Sequence, residues 1–376
     1  MTMRPLFRAI IAACLLAGCG GLVPTAASTP AGASPTPSAA ATRTIQPSPT
    51  LSPSQRVTPV PCRSDAPCNT IQDAIARIDA AKMNDHLLAL VNAGSRDPRH
   101  PGHAKAVAYI KEQLGALGYY GWKIESQRTV YQGIPLENIF ATLDLRPATA
   151  EVTPPAPVGN TGWILISAHY DSTANRTPGW RPAFDPAPGA DDNGTGTAAL
   201  LEFARVLSTY RVNSPAPARV VLAFFDGEEL FFKGSAAYVS TLSRPYPYKA
   251  AINLDMVGFN PLADRLDLLW YTNASAGLRD RVLRVNDVYK TGVSPLNAQF
   301  AADGNTIMDA APFGLAGIPS IALCQRYGEP DATFPGNFTF HTVNDTPDKL
   351  TNRRLWLKAA KLTLAAALEL AEEPSQ

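Results

Sequence analysis

Arg219-Val-Val-Leu-Ala-Phe-Phe-Asp-Gly-Glu-Glu-Leu230 decides how the chain is read. An apolar run, Val220–Phe225, stops abruptly at Asp226, Gly227, Glu228 and Glu229. Its length and its β-branched and aromatic content suit a strand covered on both faces of a sheet. Open α/β sheets place their ligands beyond the carboxyl ends of such strands. Two adjacent carboxylates there can divide two tasks, one binding a cation and the other moving a proton. A solvated acidic turn after a core strand is the plain alternative, and the rest of the chain decides between them.

Working outward, a second apolar run, Trp163 to His169, also ends in polar groups: His169, Tyr170, Asp171 and Ser172. Residues two apart on an extended chain face the same side, so Asp171 can orient the His169 imidazole as a metal ligand. A surface His–Asp pair is the simpler reading. Pro188-Gly-Ala-Asp-Asp-Asn-Gly-Thr-Gly196 then feeds an apolar helix, Thr197 to Tyr210. Acids at a helix start often merely cap it. That reading suits Asp192 better than Asp191, which is expected to face the same region as the other strand ends. Downstream, Ala251-Ile-Asn-Leu-Asp255 closes a short strand on one acid, and Phe340-His341-Thr342 precedes a long helix, Asn352 to Glu372.

The inventory is two histidines, three acids and a spare Glu. Zinc takes such nitrogen and oxygen ligands, and two zinc ions sharing a carboxylate at roughly 3.5–4 Å would suit it. The lack of clustered Cys rules out a thiolate site. The two His disfavour an all-oxygen calcium or magnesium cage.

At 376 residues the chain has room for one large or two ordinary domains. A net charge of +1 gives no field directed at nucleic acid or an anionic membrane. Arg4 and Arg8 precede a short apolar stretch, Ala9 to Ala17, ending in Leu16-Ala17-Gly18-Cys19. The stretch is too short to span a bilayer, and the tetrapeptide resembles a bacterial lipobox. The expectation is a lipoprotein signal peptide over residues 1–18 and a lipid anchor on Cys19. The mature protein is then held extracytoplasmically at the cell membrane, or secreted, without spanning it. Residues 19–61 are rich in Pro, Ser, Thr and Ala and read as a tether. Cys62 and Cys68 flank a short loop and are expected to pair in an oxidising compartment, leaving Cys324 as a core thiol.

Residues 62–376 read as a single domain. Helices are expected over Ile71–Val91 and Ala104–Leu117, and strands over Trp122–Val130 and Asn138–Leu145. His86, His100 and His103 have no partner at ligand spacing and read as solvated or capping residues.

His169-Tyr-Asp171-Ser, Gly189-Ala-Asp191-Asp192-Asn-Gly-Thr-Gly, Asp226-Gly-Glu228-Glu229, Asn253-Leu-Asp255-Met-Val-Gly and His341-Thr-x-x-Asp-Thr occur in this order. With Gly317-Ile-Pro-Ser320, they resemble the secreted di-zinc aminopeptidase family, metallopeptidase family twenty-eight, from about residue 70 to the end. The resemblance implies a three-layer α/β/α sandwich around a mixed, mostly parallel sheet of the zinc-exopeptidase type. It implies one zinc on His169 and Asp255, another on Glu229 and His341, and Asp191 bridging both together with a water or hydroxide. Glu228 would be general base and acid, and Asp171 would orient His169. The implied activity is hydrolysis of N-terminal residues from peptides with a free amino terminus; a monomer is expected. Met256 and Phe340, each beside a ligand, are candidate substrate-pocket residues, with plain core packing equally open.

The chain departs from the family at Met308-Asp309-Ala310-Ala311-Pro312-Phe313, where Ala310 replaces the usual ring after the aspartate. Oxyanion stabilisation or specificity is where that difference would tell. Three rivals remain. One is a single-zinc glutaminyl cyclase, whose motif Phe224–Glu229 resembles. Another is a carboxypeptidase gripping its substrate through Arg326. The third is a non-catalytic peptide-binding lipoprotein, which would have no need of an intact Glu228.

Overall fold

The computed structural model describes residues 70–146, 162–212, 218–244, 246–301, 308–326 and 330–373, all within one unit, Thr58–Gln376. The expected signal peptide and tether, the lipidated Cys19 and the Cys62–Cys68 pair lie outside the described residues. Helices α1 (Ile71–Ala76), α2 (Ala80–Val91) and α3 (Pro101–Gly115) lead into strands β1 (Lys123–Tyr131) and β2 (Ile134–Asp144). Then come β3 (Trp163–His169), α4 (Thr195–Leu207), β4 (Arg219–Phe225), α5 (Lys233–Ser240) and β5 (Tyr248–Asp255). The chain continues through β6 (Leu266–Trp270), α6 (Ala276–Val288), β7 (Leu296–Phe300), α7 (Ala310–Leu315), β8 (Ser320–Cys324) and α8 (Arg353–Glu372).

The sheet order is β1-β2-β4-β3-β5-β8-β6-β7. The centre, β4, β3, β5 and β8, is parallel. Antiparallel pairing enters at β1/β2, β2/β4 and β6/β8. The sheet is therefore mixed and mostly parallel, as expected. Central strands are predominantly apolar because both faces are covered. In β4, Val220, Leu222 and Phe224 join the large core under α4 and α8, while Val221, Ala223 and Phe225 face the smaller layer that includes Phe313 of α7. Phe225 meets Phe140 edge-on at 6.0 Å between ring centroids. Burying each such side chain stabilises the fold by about 1.5–3 kcal/mol. No helix among the described residues is long and apolar enough to cross a membrane.

The single helix expected over residues 71–91 is two. Asp79 interrupts it, its carboxylate accepting from the amides of Ala81 (2.8 Å) and Lys82 (3.4 Å) to start α2. Similarly α3 starts at Pro101 instead of Ala104, because His100 Nδ1 caps the Gly102 amide at 2.9 Å.

Parallel pairing sets His169 opposite Phe225, and β5 runs beside β3. The carboxyl ends of β3, β4 and β5 thus emerge side by side, at the inter-strand spacing of about 4.8 Å.

Candidate metal centre

His169 is the last residue of β3 and Asp255 the last of β5. Glu228 and Glu229 follow β4 through Gly227, which turns at φ 67°. The positive φ favours glycine there, and a Cβ would in addition press on the Leu136 side chain at 2.7 Å. Asp192 comes from the turn before α4, and His341 from the loop before α8. These residues converge. His169 Nε2 lies 3.2 Å from Asp192 Oδ1 and 3.4 Å from Asp255 Oδ1. His341 Nε2 lies 2.9 Å from Asp192 Oδ2 and 3.0 Å from Glu229 Oε2.

One expectation is corrected. Asp192, not Asp191, stands between the two imidazoles with one oxygen towards each. The Asp191 carboxylate turns away, accepting from the Gly258 amide (2.8 Å) and Asn337 Nδ2 (3.1 Å). Asp345 causes the divergence. Its two oxygens hold the amides of Asp191 and Asp192, each at 3.0 Å, and Asp192 takes a non-helical conformation (φ −107°, ψ 95°). Successive side chains therefore leave the turn in different directions.

A cation fits this cluster. His169 Nε2, Asp192 Oδ2, Asp255 Oδ1 and Glu229 Oε1 are buried without an aligned hydrogen-bond partner, despite their close approaches. Ligating atoms of His169, Asp192 and Asp255 lie within 4.8 Å of one another, as do those of Asp192, Glu229 and His341. Tetrahedral zinc at about 2.0–2.1 Å from its ligands sets them roughly 3.3 Å apart. The observed 2.9–3.4 Å contacts match that spacing. A third grouping joins Glu228 to His169 and Glu229.

Asp171 ties the pieces together. Its Oδ1 lies 3.3 Å from His169 Nδ1 and accepts from the Glu228 amide at 3.2 Å. Its Oδ2 accepts from the Glu229 amide, also at 3.2 Å. Burial, opposed by His169 and reinforced by Asp255, Glu229 and Asp309, raises the Glu228 carboxyl well above the usual range. Burial likewise pushes Glu229 up to about 7 against the pull of His341. Burial works against a charge on His169, but Asp255 and the other carboxylates outweigh it and raise its pKa well above that of free histidine. Carboxylates and imidazoles must be deprotonated to ligate, so metal binding here would release protons.

Three site residues carried no role at the level of sequence. Arg96 is fully buried and donates to the carbonyls of Tyr170 (2.6 Å), Pro188 (2.6 Å) and Gly189 (2.8 Å). No spacing rule would single it out. Asp345 stood inside a quoted motif without a function. Asp309 is wholly buried, and the Ser235 hydroxyl that neighbours it also lies 3.2 Å from the Phe232 carbonyl, so one rotatable donor is shared between them. Its neighbour Ala310 is packed into a small core beside Leu269 and Ala322.

Phe340 is half-buried, its ring 4.7 Å from that of His341 and under the Arg176 guanidinium at 4.5 Å. Met256 has φ 50°, and its sulfur lies 3.2 Å from Gln325 Nε2. Arg326 is paired with Asp331. Cys324 is a buried thiol in β8.

The fold and the cluster define an aminopeptidase-like α/β protein with a buried carboxylate–imidazole site suited to metal. Residues 149–367, more than half of the chain, match Peptidase family M28, and the chain belongs to that family. It is 27% identical to Escherichia coli protein YfbL over 67% of this chain and 76% of that one. It is 30% identical to Bacillus subtilis aminopeptidase YwaD and to leucine aminopeptidase 1 of Coccidioides posadasii, in each case over 55% of this chain. It spans only 40% and 52% of those two proteins. Among solved structures it resembles the LapA aminopeptidase of Legionella pneumophila, with TM-score 0.63 and 19% identity, covering 81% of this chain and 75% of that one. It also resembles Porphyromonas gingivalis glutaminyl cyclase, with TM-score 0.58 and 21% identity, covering 78% and 98%.

Proposed function

We propose that this chain is a zinc-dependent exopeptidase that releases N-terminal residues from peptides. The observation that carries the reading is Asp192, whose two oxygens face His169 on one side and His341 on the other. His169, Asp192 and Asp255 would hold one zinc, and Asp192, Glu229 and His341 a second. When bound, zinc polarises a scissile carbonyl and makes a water acidic. Glu228 is placed to take a proton from the attacking water and return it to the leaving amine. Burial holds its carboxyl above the usual range, and a bound cation beside it would favour the ionised form that a general base needs. Asp171 holds the backbone of Glu228 and Glu229 and lies against His169 Nδ1, so base and ligands share one carboxylate anchor. Phe340 and Met256, beside two ligands, are the candidates for contact with the substrate side chain.

The test is release of amino acid from a panel of aminoacyl-p-nitroanilides, with zinc counted per folded chain. Two zinc ions, activity, and a 10²–10⁴-fold loss of kcat in Glu228→Gln with zinc retained are expected. Undiminished activity in that variant would refute the mechanism.

A second reading, a glutaminyl cyclase, is favoured by the Phe224–Glu229 motif and by the near-complete coverage of the Porphyromonas gingivalis enzyme. It requires one zinc per chain and cyclisation of N-terminal Gln. A carboxypeptidase reading is disfavoured because Arg326 is engaged by Asp331. We further propose lipid anchoring at Cys19, which metabolic labelling with palmitate and its loss in Cys19→Ser would test.

A further inference from the structure

We propose that His103 is a positioning residue for the Glu228–Glu229 turn, acting as the counter-charge of the buried Asp226 carboxylate. Its kinetic consequence rests on the peptidase reading; its structural consequence does not.

Asp226 is the first residue beyond β4, two before Glu228, and is completely buried. Its Oδ2 accepts from His103 Nε2 (2.9 Å), the Tyr170 hydroxyl (3.0 Å) and the Glu137 amide (2.8 Å). Its Oδ1 has no aligned donor. Of the three donors, His103 alone can carry a charge. Arg96, the other buried cation of this region, spends its donors on carbonyls. A buried carboxylate is tolerated when it is paired and hydrogen-bonded, and is costly when its partner is removed.

The surroundings leave Asp226 little room to adapt. Its amide donates to Asn138 Oδ1 at 3.0 Å, and Asn138 Nδ2 donates to the Gly234 carbonyl at 2.9 Å. A Cβ on Gly234 would sit 2.0 Å from the Asp226 carbonyl oxygen. Thus β2, the first turn of α3, and α5 all close on this residue. His103 is mostly buried, its ring 5.3 Å from that of Tyr170. It lines a groove of about 510 Å³ together with His100, Arg128 and Glu137. The largest charges acting on it are Asp226, Asp171 and Asp97, all acidic. Burial opposes its protonation, and the Asp226 hydrogen bond and charge outweigh that opposition. Asp171 steadies the Glu228 and Glu229 amides from the metal side; the His103–Asp226 pair steadies the same turn from behind.

The test is a double-variant cycle in the full chain. His103→Ala is expected to lower kcat on an aminoacyl-p-nitroanilide 10- to 100-fold, with KM within twofold and zinc content unchanged. His103→Gln, which keeps a donor but no charge, should behave like His103→Ala. Adding Asp226→Asn to His103→Ala removes the uncompensated charge and should restore kcat to within about fivefold of wild type. Wild-type kcat in His103→Gln, or a double variant no better than His103→Ala, overturns the proposal. If the wild-type chain cleaves no aminoacyl substrate, the peptidase reading fails and the cycle is read in thermal midpoints. His103→Ala must then lower Tm and the added Asp226→Asn must recover it. No recovery overturns the counter-charge role. If His103→Ala gives no folded protein, recovery of folded chain by the second substitution is the same supporting result, and its absence the same refutation.

Discussion

Arg96 Nη2 donates to the carbonyl oxygen of Gly189 at 2.8 Å, three residues before the carboxylate that faces both imidazoles. Burial brings the guanidinium pKa down to about 10, yet it stays charged, with Asp345 and Asp171 nearest in influence. Arg96→Met would strip three carbonyls of their donor in a site closed to water. The expected loss is about 3–5 kcal/mol in denaturant unfolding, together with loss of bound zinc. Arg96→Lys should rescue little, because one ammonium cannot reproduce a planar fork reaching three carbonyls.

Asp191 and Asp192 make a paired test. Asp192→Asn should lower kcat/KM more than 100-fold and reduce zinc per chain. Asp191→Asn should stay within about tenfold, since an amide oxygen can still accept from Gly258 and orienting partners typically contribute 10–100-fold at most. Metal analysis and kinetics on both variants check this. The reverse order of severity would reinstate Asp191 as the shared ligand.

Removal of metal should also be visible in stability. A ligand present at a thousand times its Kd stabilises by about 4 kcal/mol. A chelator is therefore expected to lower Tm by several degrees and abolish amino-acid release, and zinc to restore both. An unchanged Tm with full activity would remove metal from the mechanism.

Asp309 sets a pH dependence in the metal-free protein. Burial pushes its carboxyl up to about 7, against the pull of His169. Between pH 4 and pH 7 the folded state keeps a proton that the unfolded chain has released. Stability must then fall as pH rises through that window, by up to about 1.4 kcal/mol per pH unit. Asp309→Asn should match wild type near pH 4 and exceed it near pH 8, as read from denaturant midpoints across pH. Parallel curves for the two proteins would refute the assignment.

What was legible in the sequence is what periodicity and strand ends encode. Val220–Phe225 and Trp163–His169 declared themselves as central strands because a doubly covered strand has no polar face to hide. Their polar termini then placed His169, Glu228 and Glu229 at one edge. The choice between Asp191 and Asp192 was not legible. Adjacent acids on a turn are separated only by backbone dihedrals, and those are imposed by Asp345, more than 150 residues away in the chain. Arg96 and His103 were missed for a related reason. Each acts through contacts remote in sequence, and neither has a local spacing that distinguishes it from a surface cation.

The placement of Arg96 and His103 has a consequence for how this protein can be cut or grafted. The residues that converge on the candidate cation site all lie between residues 149 and 367, the stretch that matches the family. The arginine that shapes the Asp192 turn and the histidine behind Glu228 lie before it, on and beside helix α3, and so do strands β1 and β2. A fragment trimmed to the matching stretch would keep a full set of ligands and lose the scaffolding that aims them. The site is therefore not a portable cassette: it belongs to the whole unit from α1 to α8.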